Sequence, residues 1–324
     1  MFETMKKVFP CFTAVVLMFC MLQSHAQQLP SVIKVIIPFP PGGPVDIIGR
    51  IAADGLRAHL RTVVAVENKQ GANGAVAVAS LKQAPVDGSQ LLIVSSGMIT
   101  FSPQLDKTIG YDPMRDMVPI VNIAYADIGL VVAENVAATN LKEFVALAKS
   151  SAQPLAMGSA GKGNLTHAYI ELFKDSAKVN VLHVPYKGAT PALTDVMGGQ
   201  IAGMFIGLSS ALPVAKAGKV KVLAVAGRRS SIAPEIPTFT EQGLPGIEVL
   251  PWFAVMGPPG MSAQTRAAVA AAITRGLETE EIKTRLLNAG ATPWILSGQE
   301  LQQMMQAESD TWKKLIAEKK ISAD

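Results

Sequence analysis

Apolar residues recur along this chain in two alternating rhythms. Residues 32–38 form a short β-branched run between Pro30 and a Pro/Gly-rich turn, which predicts a strand. Val45, Ile48, Ile51, Ala52 and Leu56 then repeat at helical spacing, with Asp46 in the first turn and Arg57 and His59 near the last, so charge complements the helix dipole at both ends. Further strand candidates lie at 63–66, 91–94, 129–133, 155–158, 181–184, 202–206 and 220–226. Helical patterns at 141–149, 165–174 and 190–197 fall among them. Strand–helix alternation of this kind predicts an α/β fold of parallel sheets with crossover helices.

The C-terminal portion changes rhythm. Helical patterns dominate from Ser262, at 264–277, 281–288 and 299–319, with only a short strand candidate at 292–295. Helices without strands of their own need an existing sheet. They are expected to pack back on the first lobe and make it discontinuous: 27–122 plus 252–324, with 123–251 as the second lobe.

Composition sharpens this picture mainly at the N-terminus. The chain has 324 residues, 49% of them apolar and 17% charged, which excludes a disordered or fibrous protein. Lys6 and Lys7 precede a mostly apolar stretch at 8–22, and Ser24-His25-Ala26 supplies small residues where an exporting peptidase cuts. That stretch is 15 residues long and contains Pro10, short of the roughly 18 or more that read as a membrane span. Residues 1–26 are therefore expected to be a cleaved signal peptide, and the protein exported. Cys20 suggests a lipoprotein anchor as the alternative, but bulky Met18 and Phe19 precede it where small residues are wanted, so none is expected. Cys11 and Cys20 are both expected to leave with the leader, which would remove thiol chemistry and thiolate metal sites from the mature chain. The net charge falls from +4 to +3, and the basic residues are scattered without interleaved aromatics, so nucleic-acid binding has no support.

Three small-residue loops follow predicted strands. The first, Pro38-Phe39-Pro40-Pro41-Gly42-Gly43-Pro44-Val45-Asp46, ends in a proline suited to a helix start; glycines let backbone N–H groups approach a ligand, and a helix N-terminus favours an anion. A tight turn without a ligand is the alternative. The second comprises Ser95, Ser96, Gly97, Met98, Ile99 and Thr100, and the third runs Gly158-Ser159-Ala160-Gly161-Lys162-Gly163-Asn164-Leu165-Thr166-His167. Ser159, Asn164 or Thr166 is expected to cap the helix of the third loop. No G-x-G-x-x-G, P-loop or G-x-S-x-G occurs. Open parallel sheets bind ligands at the carboxyl ends of their strands, so the loops suggest a cleft that receives a small anion.

The histidines test an enzymatic alternative. His59 reads as a surface residue, His183 as a packed one, and His167 as either helix packing or cleft border. No two share metal-ligand spacing, so neither a metal nor a cofactor is expected. A periplasmic hydrolase using Ser159 with His167 remains the catalytic reading, without an evident acid or oxyanion motif.

PFPPGGPVD at 38–46, ENKQGANG at 67–74, Tyr111-Asp112-Pro113, HVPYKGATPALTDVMGG at 183–199, KAGKVKVLAVA at 216–226, PTFTEQGLPGIEV at 237–249 and then Trp252-Phe253 occur in that order. The ordered set resembles the periplasmic substrate-binding proteins of tripartite tricarboxylate transporters, the Bug-type receptors, across the mature chain. The resemblance implies a two-lobed, type II-like periplasmic-binding-protein fold, each lobe a mixed, mainly parallel sheet flanked by helices. It also implies a monomeric, non-catalytic receptor that encloses a small carboxylate by hinge closure and hands it to a membrane permease. A membrane sensor is the alternative partner. Carried onto this chain, the ligand residues are Pro41, Gly42, Gly43, Asp46, Ser95, Ser96, Met98 and Thr100 from the first lobe. From the second lobe come Ser159, Ala160, Gly161, Gly163, Asn164, Tyr186, Lys187 and Gly188. Asp46 is expected to order its loop, since it would repel an anion. Relatives commonly carry aspartates where this chain has Ala202 and Ile206, so Ile206 is expected to make the pocket wall more apolar.

Overall fold

The computed structural model describes residues 29–60, 62–319 and 321. The leader with its cut after Ala26, Cys11 and Cys20 lies outside the described residues. Among the described residues, eleven strands form two sheets. The first contains β1 (Val32–Ile37), β2 (Val63–Asn68), β3 (Gln90–Ser95), β4 (Val118–Ala126), β10 (Trp252–Gly257) and β11 (Ala291–Ser297), in the order β11-β4-β10-β3-β1-β2. The second contains β5 (Ile128–Ala133), β6 (Leu155–Ser159), β7 (Val181–Pro185), β8 (Gly203–Gly207) and β9 (Val220–Val225), in the order β7-β6-β8-β5-β9. Strands from both ends of the chain thus share the first sheet.

Four strand pairings are parallel and five antiparallel, so the parallel share is smaller than the sequence predicts. Four of the five antiparallel pairings, all but β11 with β4, follow from the double crossing between sheets. β3, β4, β6, β8 and β9 end at the side where the chain crosses, whereas β5 and β10 arrive from the other sheet and begin there. An arriving strand must run antiparallel to its departing neighbours. Neither β4 nor β10 is among the predicted strands.

Helix α1 (Pro44–His59) starts where predicted, with Pro44 at its first position and Gly43 as N-cap. Then come α2 (Ala75–Lys82), a π-helical turn at Gly97–Phe101, α3 (Ser102–Leu105), α4 (Leu141–Ser150), α5 (Leu165–Ala177), α6 (Ala189–Met197) and α7 (Leu208–Lys216). The chain closes with α8 (Ala263–Leu277), α9 (Glu280–Asn288) and α10 (Gly298–Lys319). Gly276 of α8 lies directly on Gly55 of α1: a methyl group at Gly276 would sit 2.4 Å from the Gly55 Cα, so only glycines permit this approach.

The last helix belongs to both halves. Leu301 and Met305 sit in the apolar cluster of Ile36, Val94, Met98 and Trp252. Seven residues beyond Met305, Trp312 enters the cluster of Leu130, Phe144, Phe173 and Phe205 beneath the second sheet. The described residues from 252 onward therefore do not pack on the first sheet alone, because the apolar stripe of α10 is long enough to reach both clusters. Among the described residues no helix is long and apolar enough to cross a membrane.

Candidate functional site

All three predicted loops lie on the side of the sheets where the chain crosses. In the first, Gly42 has φ +83°, a backbone conformation only glycine adopts freely. This turns its N–H onto Asp46 Oδ2 at 3.0 Å. Asp46 is buried and also accepts from Arg50 Nε at 3.0 Å and Asn68 Nδ2 at 2.8 Å, while Asn68 Nδ2 reaches the Phe39 carbonyl at 2.9 Å. Burial pushes the Asp46 pKa up, but the bonds from Arg50, Asn68 and Gly42 outweigh it and hold the group below the ordinary carboxylate range. Asp46 is thus the internal brace of its loop, and Asn68, at the end of β2, is the partner sequence reading missed. The amides of Val45 and Asp46 lie in the first turn of α1, beyond reach of a preceding helical carbonyl. Pro41 and Gly42 are exposed and Gly43 half-buried.

The second loop turns inward. Ser95 is half-buried, but Ser96, Met98 and Thr100 are buried. Ser96 Oγ accepts the Trp252 backbone N–H at 3.3 Å, and the Met98 carbonyl accepts the Tyr111 hydroxyl at 2.7 Å. Thr100 Oγ1 lies 2.9 Å from the Ser96 carbonyl and 2.8 Å from Glu308 Oε1. These side chains anchor the loop to β10 and α10.

In the third loop Asn164 is the helix cap, accepting the Thr166 N–H at 2.9 Å. Several amides are already donating within the protein: Ala160 to Thr166 Oγ1 at 2.8 Å, Gly161 to Ser159 Oγ at 3.2 Å, and Gly163 to His167 Nδ1 at 3.4 Å. Tyr186 and Gly188 give theirs to the carbonyls of Ser159 and Ala160 at 3.0 and 3.2 Å, which fastens 186–188 to this loop. The Tyr186 hydroxyl donates to Asp195 at 2.6 Å, and burial with the Asp195 carboxylate pushes its pKa up to about 12. Lys187 is exposed. Ile206 is 4% exposed and packed with Val131, Val196, Ile201 and Met204 in the core of the second lobe. Its place on β8 turns it to the α6 side, in the cluster against which Tyr186 also packs. Ala202 is half-buried and packs against the other cluster of that lobe.

The second and third loops meet. Ser102 Oγ, just past the π-helical turn, donates to the Gly163 carbonyl at 2.8 Å. Gly97 faces Leu165 so closely that a methyl group there would stand 3.1 Å from the Leu165 Cβ. Phe101 joins the Leu165 and Trp312 cluster, its ring centroid 4.9 Å from that of Trp312. At the crossovers, the Arg228 guanidinium stacks 3.9 Å over the Tyr125 ring. Sequence reading did not single out Ser102, Tyr125 or Arg228, since none stands in a loop of small residues.

Ser159 Oγ lies 2.6 Å from Nε2 of His183, not of His167. His167 stacks on His183 with centroids 4.0 Å apart. Burial is the leading cause that lowers both imidazoles to about 4; Lys174 and Lys162 add to it for both, and His167 adds to it for His183 against the opposing pull of Glu171, so both are neutral at pH 7. Together with Lys162, Glu171, Lys174 and Leu182 they border a groove of about 600 Å³ between α5 and the edge strand β7. One lobe alone forms that groove.

Two α/β sheets joined by two crossovers, with small-residue loops converging from both, define a two-lobed solute-binding receptor. The chain belongs to a family: the one described as "Tripartite tricarboxylate transporter family receptor" matches residues 48–321. It is 32% identical over 303 residues to the "UPF0065 protein in tcbD-tcbE intergenic region" of a Pseudomonas species, covering 89% of this chain and 86% of that one. An adipate-bound Rhodopseudomonas palustris protein superimposes with TM-score 0.83 at 28% identity, covering 90% of this chain and 98% of the other. MatC of the same organism, with bound malate, gives 0.78 at 28% identity, covering 88% and 98%. The protein is a periplasmic solute-binding receptor and not an enzyme. This overturns the hydrolase alternative, whose serine is paired with a different histidine in any case.

Proposed function

We propose that this receptor captures a small carboxylate where the second and third loops meet and delivers it to the membrane permease of a tripartite tricarboxylate-type transporter. In this reading 27–122 with 252–324 and 123–251 act as the two lobes, and the crossovers at 126–128 and 226–251 are the hinge. The contact of Ser102 with Gly163 carries the reading, since it joins loops from opposite sheets across the space a ligand would share. Malate and adipate in the two neighbouring structures support the carboxylate class.

The ligand carboxylate is received by the first-turn amides of α1 beside Pro41, Gly42 and Gly43, where dipole and free N–H groups favour an anion. Ser95 adds a hydroxyl on the same lobe. Ser159 to Asn164 and Tyr186 to Gly188 close from the other side, and Lys187 supplies positive charge at the rim. Asp46, Ser96, Met98 and Thr100 act from behind by holding the loops. Excluding water on closure strengthens each remaining hydrogen bond. Export as a monomer with cleavage after Ala26 completes the reading, and N-terminal sequencing of the periplasmic protein checks the cut.

A thermal-shift screen of mono-, di- and tricarboxylates tests the central claim. A carboxylate at about 100 times its dissociation constant stabilises the receptor by about 2.7 kcal/mol. Neutral amide analogues leave it unchanged. A screen in which no carboxylate stabilises, or in which the amides do so equally, refutes the proposal.

A further inference from the structure

We infer that Glu308 is a neutral carboxylic acid in the folded receptor, and that in this form it positions the Ser96–Phe101 segment of the second loop. The reasoning is a count of protons. Thr100 Oγ1 is 2.9 Å from the Ser96 carbonyl and 2.8 Å from Glu308 Oε1, and both distances are hydrogen bonds. A carbonyl and an ionised carboxylate are acceptors only, and the Thr100 hydroxyl has one proton to give. Two bonds therefore need a second proton, and the Glu308 carboxyl is the group able to carry it. Protonated at Oε1, Glu308 donates to Thr100, which donates to Ser96. Oε2 then accepts the Trp252 indole N–H at 2.6 Å, and Oε1 accepts the Trp312 indole at 3.3 Å.

The surroundings agree with a neutral acid. Glu308 is half-buried as a residue, but Thr100, Trp252 and Trp312 are 0%, 1% and 0% exposed. Among the described residues no cation pairs with the carboxyl; burial pushes its pKa up, against the lowering effect of the bonds from Trp252, Thr100 and Trp312. The facing titratable group is Tyr169 of α5, whose phenol is driven up by burial and by Glu308 and donates to the Val249 carbonyl. Glu308 also stands on α10 between Met305 in one apolar cluster and Trp312 in the other. It thus ties the loop, the start of β10 and the bridging helix together. The absence of charge also matters to a site that takes an anion, a consequence that rests on the function proposed above.

Two of the three tryptophans donate to Glu308, which gives the test its probe. Carboxyl resonances of ¹³C-glutamate-labelled wild-type receptor are followed without ligand from about pH 4 to about pH 9, along with tryptophan emission. One glutamate is expected to stay protonated well above about 4.3, the ordinary glutamate value, and emission is expected to change with its titration. Glu308→Gln removes that resonance and that emission change. Amide exchange across 96–101 speeds up about tenfold in Glu308→Ala and returns toward wild type in Glu308→Gln, whose amide can still donate to Thr100. A full set of glutamates titrating in the ordinary range overturns the neutral acid. Unchanged exchange in Glu308→Ala overturns the positioning role. Neither readout uses a ligand, so failure of the carboxylate screen is a separate result.

Discussion

Replacing Asp46 by alanine should unbrace the first loop and lower stability by about 3 to 4 kcal/mol. The carboxylate is 3% exposed and takes one bond from Gly42 N–H at 3.0 Å, one from Asn68 Nδ2 at 2.8 Å and a forked contact from Arg50 Nε at 3.0 Å. Bonds to a charged group contribute about 1.5 to 3 kcal/mol each, and the Gly42 and Asn68 donors lose theirs outright. The Arg50 side chain is 43% exposed and can turn to water, so its share is about 0 to 1 kcal/mol. Non-additivity within one network brings the sum to the lower end of its range. Asp46→Asn keeps the shape and loses the charge, for about 2 kcal/mol. The pH sign is definite. The folded pKa lies below the unfolded value, so the stabilisation is present above about pH 4 and disappears as pH falls through the folded pKa. Urea unfolding of the three proteins at neutral pH and down an acid series measures both effects. A loss under about 1 kcal/mol for the alanine variant, or a wild-type-to-asparagine gap unchanged in acid, would show that Asp46 does not brace the loop.

Gly97→Ala puts a methyl group 3.1 Å from the Leu165 Cβ, so it should hold the loops slightly apart and weaken carboxylate affinity about three- to tenfold in calorimetry, with little change in melting temperature. Ser102→Ala deletes the bond to Gly163 and should cost about 0.5 to 1.5 kcal/mol of binding free energy, seen mainly as faster ligand release. Gly276→Ala forces α8 off α1, where its methyl would meet the Gly55 backbone at 2.4 Å; denaturation should report a loss of about 1 to 3 kcal/mol or more. His167 and His183 have pKa values of about 4 when folded and take up protons sooner when unfolded, so stability should fall as pH drops from about 6.5 toward 4. A His167→Gln/His183→Gln protein should flatten that slope, and an unaltered slope would count against the buried pair as its source.

The local parts of this fold were legible in the sequence. Pro44 and Asp46 mark the start of α1 because a missing N–H and an acidic side chain suit the first turn whatever surrounds them. Asn164 could be named as a possible cap for the same reason. β4 was not legible: it carries Pro119 and Asn122, and it exists as a strand because β10 and β11 pair with it on both sides. Asn122 is accommodated by donating to the Trp294 carbonyl at 2.7 Å, across 172 residues of sequence. The partner of Ser159 was equally out of view. His167 is nearer in the chain, but the parallel register that sets Ser159 opposite Pro185 and Met157 opposite His183 brings the other imidazole to it.

Runs of apolar residues, helix starts and small-residue loops depend on neighbours within about one turn or one strand, so the chain alone determined where loops could present N–H groups. Which of those groups remain available was decided by tertiary structure. The amide of Gly42 is held by Asp46, those of Ala160, Gly161 and Gly163 by side chains of their own lobe, and Thr100 by Glu308, 208 residues away. A hydrogen-bonding group is used or free according to what lies within about 3 Å of it, and that distance is set by packing, not by sequence separation.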